Sequence, residues 1–222
     1  MNVANRASRI LAIFAFAFLI TAALLSSTRF AYARSPGATP GRAGVPGTSS
    51  CTVCHTEPPG AKPQGTIAFS IANLQQGKYV PGQMYAVTVT LTAANPPLPG
   101  KPRLRWGFEA TAVFSTNNMR AGTLSVPAGS TTVQKIANDR VGREYVTHTQ
   151  AGTFKGMGSP RSWTFDWRAP AVADAADVKF YACGIAGDNN SCPPTLNEKT
   201  GAEGDYTYCG CQTIQPVKPA QP

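Results

Sequence analysis

Alternation of apolar and polar side chains is the feature that most constrains the fold of this chain of 222 residues. Period 2 is the repeat of a β-strand, because successive side chains along a strand point to opposite faces. The clearest example sets Tyr85, Val87, Val89 and Leu91 against Thr88, Thr90 and Thr92. This stretch is predicted to be a half-buried strand.

The same alternation recurs with bulkier residues in Leu104, Trp106, Phe108, Ala110, Ala112 and Phe114, set against Arg103, Arg105, Glu109 and Thr111 on the opposite, polar face. Further candidate strands lie at 122–126, 131–136, 144–149, 162–168, 178–183 and 205–213. Roughly eight short strands separated by turn residues predict an all-β fold, an antiparallel β-sandwich. Alternating tryptophans are typical of a core, so Trp106, Trp163 and Trp167 are assigned to the fold.

The N-terminus predicts export. Arg6 and Arg9 precede an apolar run over 10–25, and Ala31-Tyr-Ala offers small residues for cleavage, which together indicate a signal peptide over residues 1–33. The run is shorter than the roughly 20 residues of a membrane helix, and no later segment approaches that length. The mature chain is expected to be soluble, without a membrane span, in the periplasm or outside the cell, including the cell surface.

The mature chain divides into three parts by composition. Residues 34–65 are rich in Gly and Pro, residues 66–214 carry the strand pattern, and residues 215–222 form a polar tail. Removing three of the 20 basic residues with the signal leaves 17 against 11 acids, a net charge of +6. This moderate charge on an exported protein gives no support for nucleic acid as a partner.

The Gly/Pro-rich part carries the motif Cys51-Thr-Val-Cys-His. C-x-x-C-H is the spacing at which two thiols bind a c-type haem covalently and the histidine ligates its iron. Cys51, Cys54 and His55 are therefore predicted to hold haem c, in a loop ahead of the sandwich. A redox partner protein would then be expected.

Two other interpretations of the motif stay open. An exported C-x-x-C pair can oxidise to a short-loop disulfide, and a structural zinc ion would need a fourth ligand such as His148 or a carboxylate. If haem is bound, its second axial ligand is one of His148, Met84, Met119 and Met157, of which His148 is preferred. His148 can equally be a strand residue whose imidazole bonds to a neighbouring loop.

The order of several motifs resembles bacterial Reelin-domain-like (Reeler) proteins, including those called choice-of-anchor V. The motifs are Val45-Pro-Gly, Cys51-Thr-Val-Cys-His, Tyr79-Val-Pro-Gly-Gln-Met-Tyr, Trp106-Gly-Phe-Glu-Ala-Thr-Ala, Ala121-Gly-Thr-Leu, Tyr145-Val-Thr-His-Thr, 163–170, Phe180-Tyr-Ala-Cys-Gly and Gly204-Asp-Tyr-Thr-Tyr. The resemblance implies a Reelin-type β-sandwich exported to the cell surface or beyond, with no known reaction. This chain departs from the pattern in lacking a C-terminal anchoring segment and in carrying four additional cysteines.

These four are Cys183, Cys192, Cys209 and Cys211. Paired cysteines fit an oxidising compartment, and four of them allow three connectivities. Cys209 and Cys211 share one face of the last strand. Each is expected to pair with a partner between 183 and 192 rather than with the other.

Two classes of function remain. The first is an exported single-haem protein for electron transfer or redox sensing. The second is a non-enzymatic cell-surface binding or adhesion module whose C-x-x-C forms a disulfide and whose partner is a surface ligand. Catalysis has little support, because no nucleophile-elbow pattern precedes a predicted helix.

Overall fold

Nine β-strands and two short 3-10 turns make up the regular structure in the computed structural model, which describes residues 36–55, 57, 64–94, 105–171, 174–187 and 205–217. The predicted signal peptide, Cys192 and residues 218–222 lie outside these ranges. The turns are Cys51–Val53 and Ala151–Thr153. The strands are β1 (Gly65–Ile71), β2 (Met84–Ala93), β3 (Arg105–Phe114), β4 (Thr123–Ser125), β5 (Val133–Ile136), β6 (Tyr145–His148), β7 (Arg161–Arg168), β8 (Val178–Gly187) and β9 (Tyr206–Ile214).

The strands form two antiparallel sheets. One sheet has the order β1-β2-β7-β4, and the other has the order β5-β6-β3-β8-β9. Apolar side chains from both sheets join in one buried core, so the sheets pack face to face as a β-sandwich. The predicted fold class is confirmed.

The core follows the alternation in the sequence. Val87, Val89 and Leu91 of β2 are fully buried, while the threonines between them face outward and pair across the strands with Ser and Thr of β7. Phe108 of β3 stacks on Trp163 of β7 with ring centroids 4.6 Å apart, which joins the two sheets. All three tryptophans are at most 1% exposed, so their assignment to the core is confirmed.

The central strand β3 is buried on both faces. Its apolar residues face the sandwich core, but Glu109, Thr111 and Val113 on the other face are also completely buried. Residues 36–55 cover this outer face, where a small second core joins Ala43, Val45, Val113, Tyr145 and Tyr181. The interpretation of this face as solvent-exposed and polar is therefore wrong for Glu109 and Thr111, because an N-terminal segment covers them.

β1 was not among the predicted strands, although Ile67, Phe69 and Ile71 alternate along it and are half-buried against the core. The described residues of the Gly/Pro-rich part pack on the sandwich. Within the described part of the chain, no helix is long and apolar enough to cross a membrane.

Candidate cofactor-binding site

The C-x-x-C-H motif lies in a segment that crosses the outer face of the five-stranded sheet, and we call residues 36–55 the strap. Near its start, the Ala38 amide donates to Thr147 Oγ1 at 3.1 Å, and the Gln134 side chain donates to the Pro36 carbonyl. At Gly44, where φ is +79°, a Cβ atom would lie 2.8 Å from Cys183 Sγ. The strap therefore follows the sheet closely enough to require glycine at this position.

Glu109 lies under the middle of the strap. Its Oε1 accepts the backbone N–H of Arg42 at 2.5 Å, and the neighbouring backbone of Gly41 and Ala43 also lowers the pKa of this carboxyl group. Burial raises the pKa of Glu109 to about 8, although these backbone bonds and the Arg42 charge act in the opposite direction. Glu109 Oε2 and Arg42 Nε are buried without a hydrogen-bond partner among the described residues.

The motif itself forms one helical turn. Ser50 caps the turn by accepting the Thr52 N–H, and the N–H groups of Cys54 and His55 both donate to the Cys51 carbonyl, at 3.2 and 3.1 Å. Residues three apart lie on the same side of such a turn, which brings the Cys51 and Cys54 side chains near each other. His55 follows directly after the turn, whereas Thr52 and Val53 are exposed.

Cys51 is the buried member of the motif. It is 8% exposed, and its Sγ lies 3.9 Å from the Arg42 carbonyl oxygen. Burial raises the pKa of its thiol far above the usual range, and the nearby Glu109 and Cys54 act in the same direction. Cys51 is therefore a protonated, poorly reactive thiol while the turn is docked on the sheet.

His55 is held by an acid from the other end of the chain. Its Nδ1 lies 2.5 Å from Oδ2 of Asp205, the residue that immediately precedes β9, and both side chains are nearly buried. A Cβ at Gly187 would lie 2.6 Å from Asp205 Oδ1, so glycine makes room for this carboxylate. Nε2 of His55 makes no hydrogen bond to the described residues, which leaves it as the nitrogen available to a ligand.

His148 lies elsewhere on the same sheet. It ends β6, is 7% exposed, and its Nδ1 receives the Phe108 N–H at 3.1 Å. The ring packs against Gly107, where a Cβ would lie 2.8 Å from Cε1. Among the residues that the structure describes, no three His, Cys, Asp or Glu side chains come together in a group that could hold a metal ion.

The methionines fall at both ends of the sandwich. The Met119 carbonyl accepts the N–H of Phe114, the last residue of β3. At a rise of about 3.3 Å per residue, Phe114 lies about 30 Å from Arg105, where β3 begins. Met84 lies at the same end of the sandwich as Phe114. It pairs with Arg168 of β7, and the Arg168 carbonyl lies against Gly122. Met157 accepts the Trp106 indole N–H at 2.7 Å and so lies at the end of the sandwich where β3 begins and Asp205 precedes β9.

Cys183 and Cys209 form a disulfide between directly opposed residues of β8 and β9, with 4.1 Å between their Cα atoms. The expectation that Cys209 and Cys211 each pair with a partner between 183 and 192 is confirmed for Cys209. Cys192, the partner that this would leave for Cys211, lies outside the described residues. Cys51, Cys54 and the exposed Cys211 carry free thiols. The disulfide lies beneath Gly44 of the strap.

Sequence analysis missed two residues that shape this site, Glu109 and Asp205. An acid inside the otherwise apolar run 106–114 was a usable signal for Glu109, because charged side chains are rarely placed in a strand that is buried on both faces. Asp205 offered no comparable local signal, since its partner His55 is 150 residues away.

No protein-family model matches this chain, and no curated protein matches it. Solved structures with some likeness include a type I cohesin–dockerin complex from Clostridium thermocellum, with 12% identity, a TM-score of 0.33, and coverage of 68% of this chain and 99% of that one. The Actinomyces fimbrial adhesin FimA has 17% identity and a TM-score of 0.33, covering 71% of this chain and 52% of that chain. Fap1 fimbriae of Streptococcus parasanguinis give 15% identity, a TM-score of 0.29, and coverage of 71% and 92%. At such TM-scores, the fold assignment rests on the strands and registers described above.

Proposed function

We propose that this chain is an exported, non-enzymatic β-sandwich protein that holds a covalently attached c-type haem through Cys51, Cys54 and His55. The observation that carries the proposal is the contact of 2.5 Å between His55 Nδ1 and Asp205. A histidine that ligates a metal through one ring nitrogen usually bonds to a carboxylate or carbonyl through the other, which fixes the orientation of the ring. Asp205 acts in this way on Nδ1 and leaves Nε2 for iron.

The donor set of the turn fits this group. Two free thiols and an imidazole follow one another around a single helical turn, at the C-x-x-C-H spacing that would hold a haem by two thioether bonds and one iron ligand. A bound haem would supply one-electron redox chemistry, so electron transfer or redox sensing with a partner protein follows as the proposed role. His148 and Met157 remain the candidates for a second axial ligand, because Met84 and Met119 lie at the opposite end of the sandwich.

The proposed location is outside the cytoplasm, in the periplasm or at the cell surface. The Cys183–Cys209 disulfide supports this, because structural disulfides persist in oxidising compartments. The order of the motifs from Val45-Pro-Gly to Gly204-Asp-Tyr-Thr-Tyr supports the further proposal that the sandwich is of the Reelin-domain type. Neither proposal depends on haem.

Haem content is the direct test. The chain would be expressed with its N-terminal signal in a host that matures c-type cytochromes, beside a Cys51→Ala, Cys54→Ala variant. We expect a pyridine haemochrome spectrum typical of two thioether bonds, with about one haem per chain, and complete loss of the band in the variant. A well-expressed, exported protein without the band would refute the haem proposal.

The tautomer of His55 tests the role of Asp205 without haem. In the Cys51→Ala, Cys54→Ala variant at a pH where the ring is neutral, we expect His55 to carry its proton on Nδ1, and Asp205→Ala to shift it towards Nε2. NMR of the ring nitrogens reads this directly, because the chain contains two histidines. An Nε2-protonated His55 beside Asp205 would contradict the proposed orientation.

A second candidate function is a surface binding module in which Cys51 and Cys54 form a disulfide. The observation that favours it is the closeness of the two thiols, since Cys54 contributes to the raised pKa of Cys51. In this case the exported protein would show no haem band, and its mass would be lower than that of the reduced chain by two hydrogen atoms for this pair. Peptide mapping would locate the bond between Cys51 and Cys54.

A further inference from the structure

The strap is anchored at one point by a buried side chain of the sheet. The backbone N–H of Arg42 donates to Oε1 of Glu109 at 2.5 Å. Glu109 is completely buried and belongs to the central strand β3. A hydrogen bond to a buried acceptor is costly to leave unmade, so this contact holds the strap at Arg42.

This anchor lies directly beside the motif. The Cys51 Sγ is 3.9 Å from the carbonyl of Arg42, the residue whose N–H bonds to Glu109. Cys51 is therefore buried by the same part of the strap that Glu109 holds. If residues 41–43 lift from the sheet, the cover over Cys51 is removed.

Cys51 must be accessible both for a thioether bond to haem and for a disulfide with Cys54. A thioether forms when the thiol S–H adds across a vinyl group at the edge of a haem, so the sulfur must reach that edge. A disulfide forms when the Cys51 and Cys54 sulfurs join and two electrons and two protons pass to a disulfide or quinone oxidant of the compartment, so a thiolate must be within reach. In the docked strap the sulfur is enclosed and the thiol stays protonated. Neither bond can form readily in that arrangement.

We propose that Glu109 is a positioning residue that latches the strap over Cys51, so that covalent chemistry at Cys51 requires the strap to open. The proposal goes beyond haem binding, because it holds equally for a thioether and for a disulfide. The latch is a hydrogen bond from the Arg42 backbone to the Glu109 side chain, between residues 67 positions apart, so it forms only when the sandwich has assembled. Cys51 is therefore expected to react before the strap docks, or during its transient opening.

Hydrogen exchange of the exported full-length protein tests the latch. We expect the Arg42 amide to be protected in the wild type, together with its neighbours in residues 41–43. Glu109→Ala should raise the exchange rate of Arg42 by about tenfold or more, because it removes the acceptor of this N–H. The amides of β8 should keep their protection, which shows local opening rather than global unfolding. Glu109→Gln retains Oε1 as an acceptor and should restore most of the protection.

Thr111→Val is the matched control. Thr111 is equally buried on the same face of β3, and its hydroxyl donates to the Glu144 carbonyl at 2.7 Å rather than to the strap. This variant should leave the exchange of residues 41–43 close to that of the wild type.

Gly44→Ala tests the latch with a substitution in the strap, whereas Glu109 lies in the sheet beneath it. A Cβ there would lie 2.8 Å from Cys183 Sγ in a backbone conformation with φ of +79°, so the strap must shift. Faster exchange at 41–43 in this variant supports the proposal even if Glu109→Ala does not fold. The proposal is overturned if the wild-type amides are unprotected, or if the Glu109→Ala and Gly44→Ala variants exchange no faster than Thr111→Val. These outcomes do not depend on haem content, so they are distinguishable from failure of the haem proposal.

Discussion

The free energy of unfolding is expected to fall by about 4 kcal/mol as the pH rises from about 4.5 to about 8, through Glu109 alone. Burial raises the pKa of Glu109 in the folded protein to about 8, from an ordinary value of 4.5. Between these values the folded state holds a proton that the unfolded state has released. The stabilisation is complete below the unfolded pKa and is lost as the pH rises through the folded pKa.

Glu109→Gln should abolish most of this dependence, because an amide does not titrate. The charged and titratable groups facing Glu109 are Arg42, Cys51 and Tyr145, and Arg42 opposes the effect of burial. Urea unfolding at several pH values, followed by tryptophan fluorescence, gives both curves. Between about pH 4.5 and about pH 8, the free energy of unfolding of the wild type should fall more steeply with pH than that of Glu109→Gln.

Asp139→Asn is the control for this experiment. Asp139 bonds to the side chains of Arg143 and Tyr145, and its pKa lies below the ordinary value of 3.8 despite partial burial. Its carboxylate is ionised in both the folded and the unfolded state between about pH 5 and about pH 8. Its removal should therefore lower the free energy of unfolding by the same amount at each pH, without changing how that free energy depends on pH. Equal slopes for the wild type and Glu109→Gln would show that Glu109 is ionised in the folded protein.

Removal of the Cys183–Cys209 disulfide is expected to lower the free energy of unfolding by about 3.5 kcal/mol. The two cysteines are 26 residues apart, and the bond restricts the unfolded chain over this loop. The double variant Cys183→Ala, Cys209→Ala should show the loss in urea unfolding at constant pH. Part of the loss will come from the space that opens beneath Gly44, where the strap packs on the sulfur atoms.

Cys211→Ser is the matched control for the disulfide. Cys211 lies two residues from Cys209 on the same strand and is exposed like it, but it carries a free thiol. Its substitution should change the free energy of unfolding by less than about 0.5 kcal/mol. A loss below about 1 kcal/mol for the double variant would mean that the loop is already ordered in the unfolded chain or that the native bond is strained.

The alternation of side chains determined the fold class. In β2, for example, Val87, Val89 and Leu91 alternate with threonines, and the same residues divide between core and solvent in the structure. The motif Cys51 to His55 is likewise local, so its spacing alone predicted a haem site, which stays a prediction. The alternation in β1 was also present in the sequence, although it was not recognised.

The tertiary structure alone decided what surrounds the motif. The contacts between Glu109 and Arg42 and between His55 and Asp205 join residues 67 and 150 positions apart. The burial of Glu109 also depends on the strap, which carries no periodic signal of its own. The physical reason is that the periodicity of a strand depends only on which of its sides faces an apolar layer, and this is written in neighbouring residues. The docking of an irregular segment depends on glycine contacts and backbone hydrogen bonds that exist only after the sheets have formed.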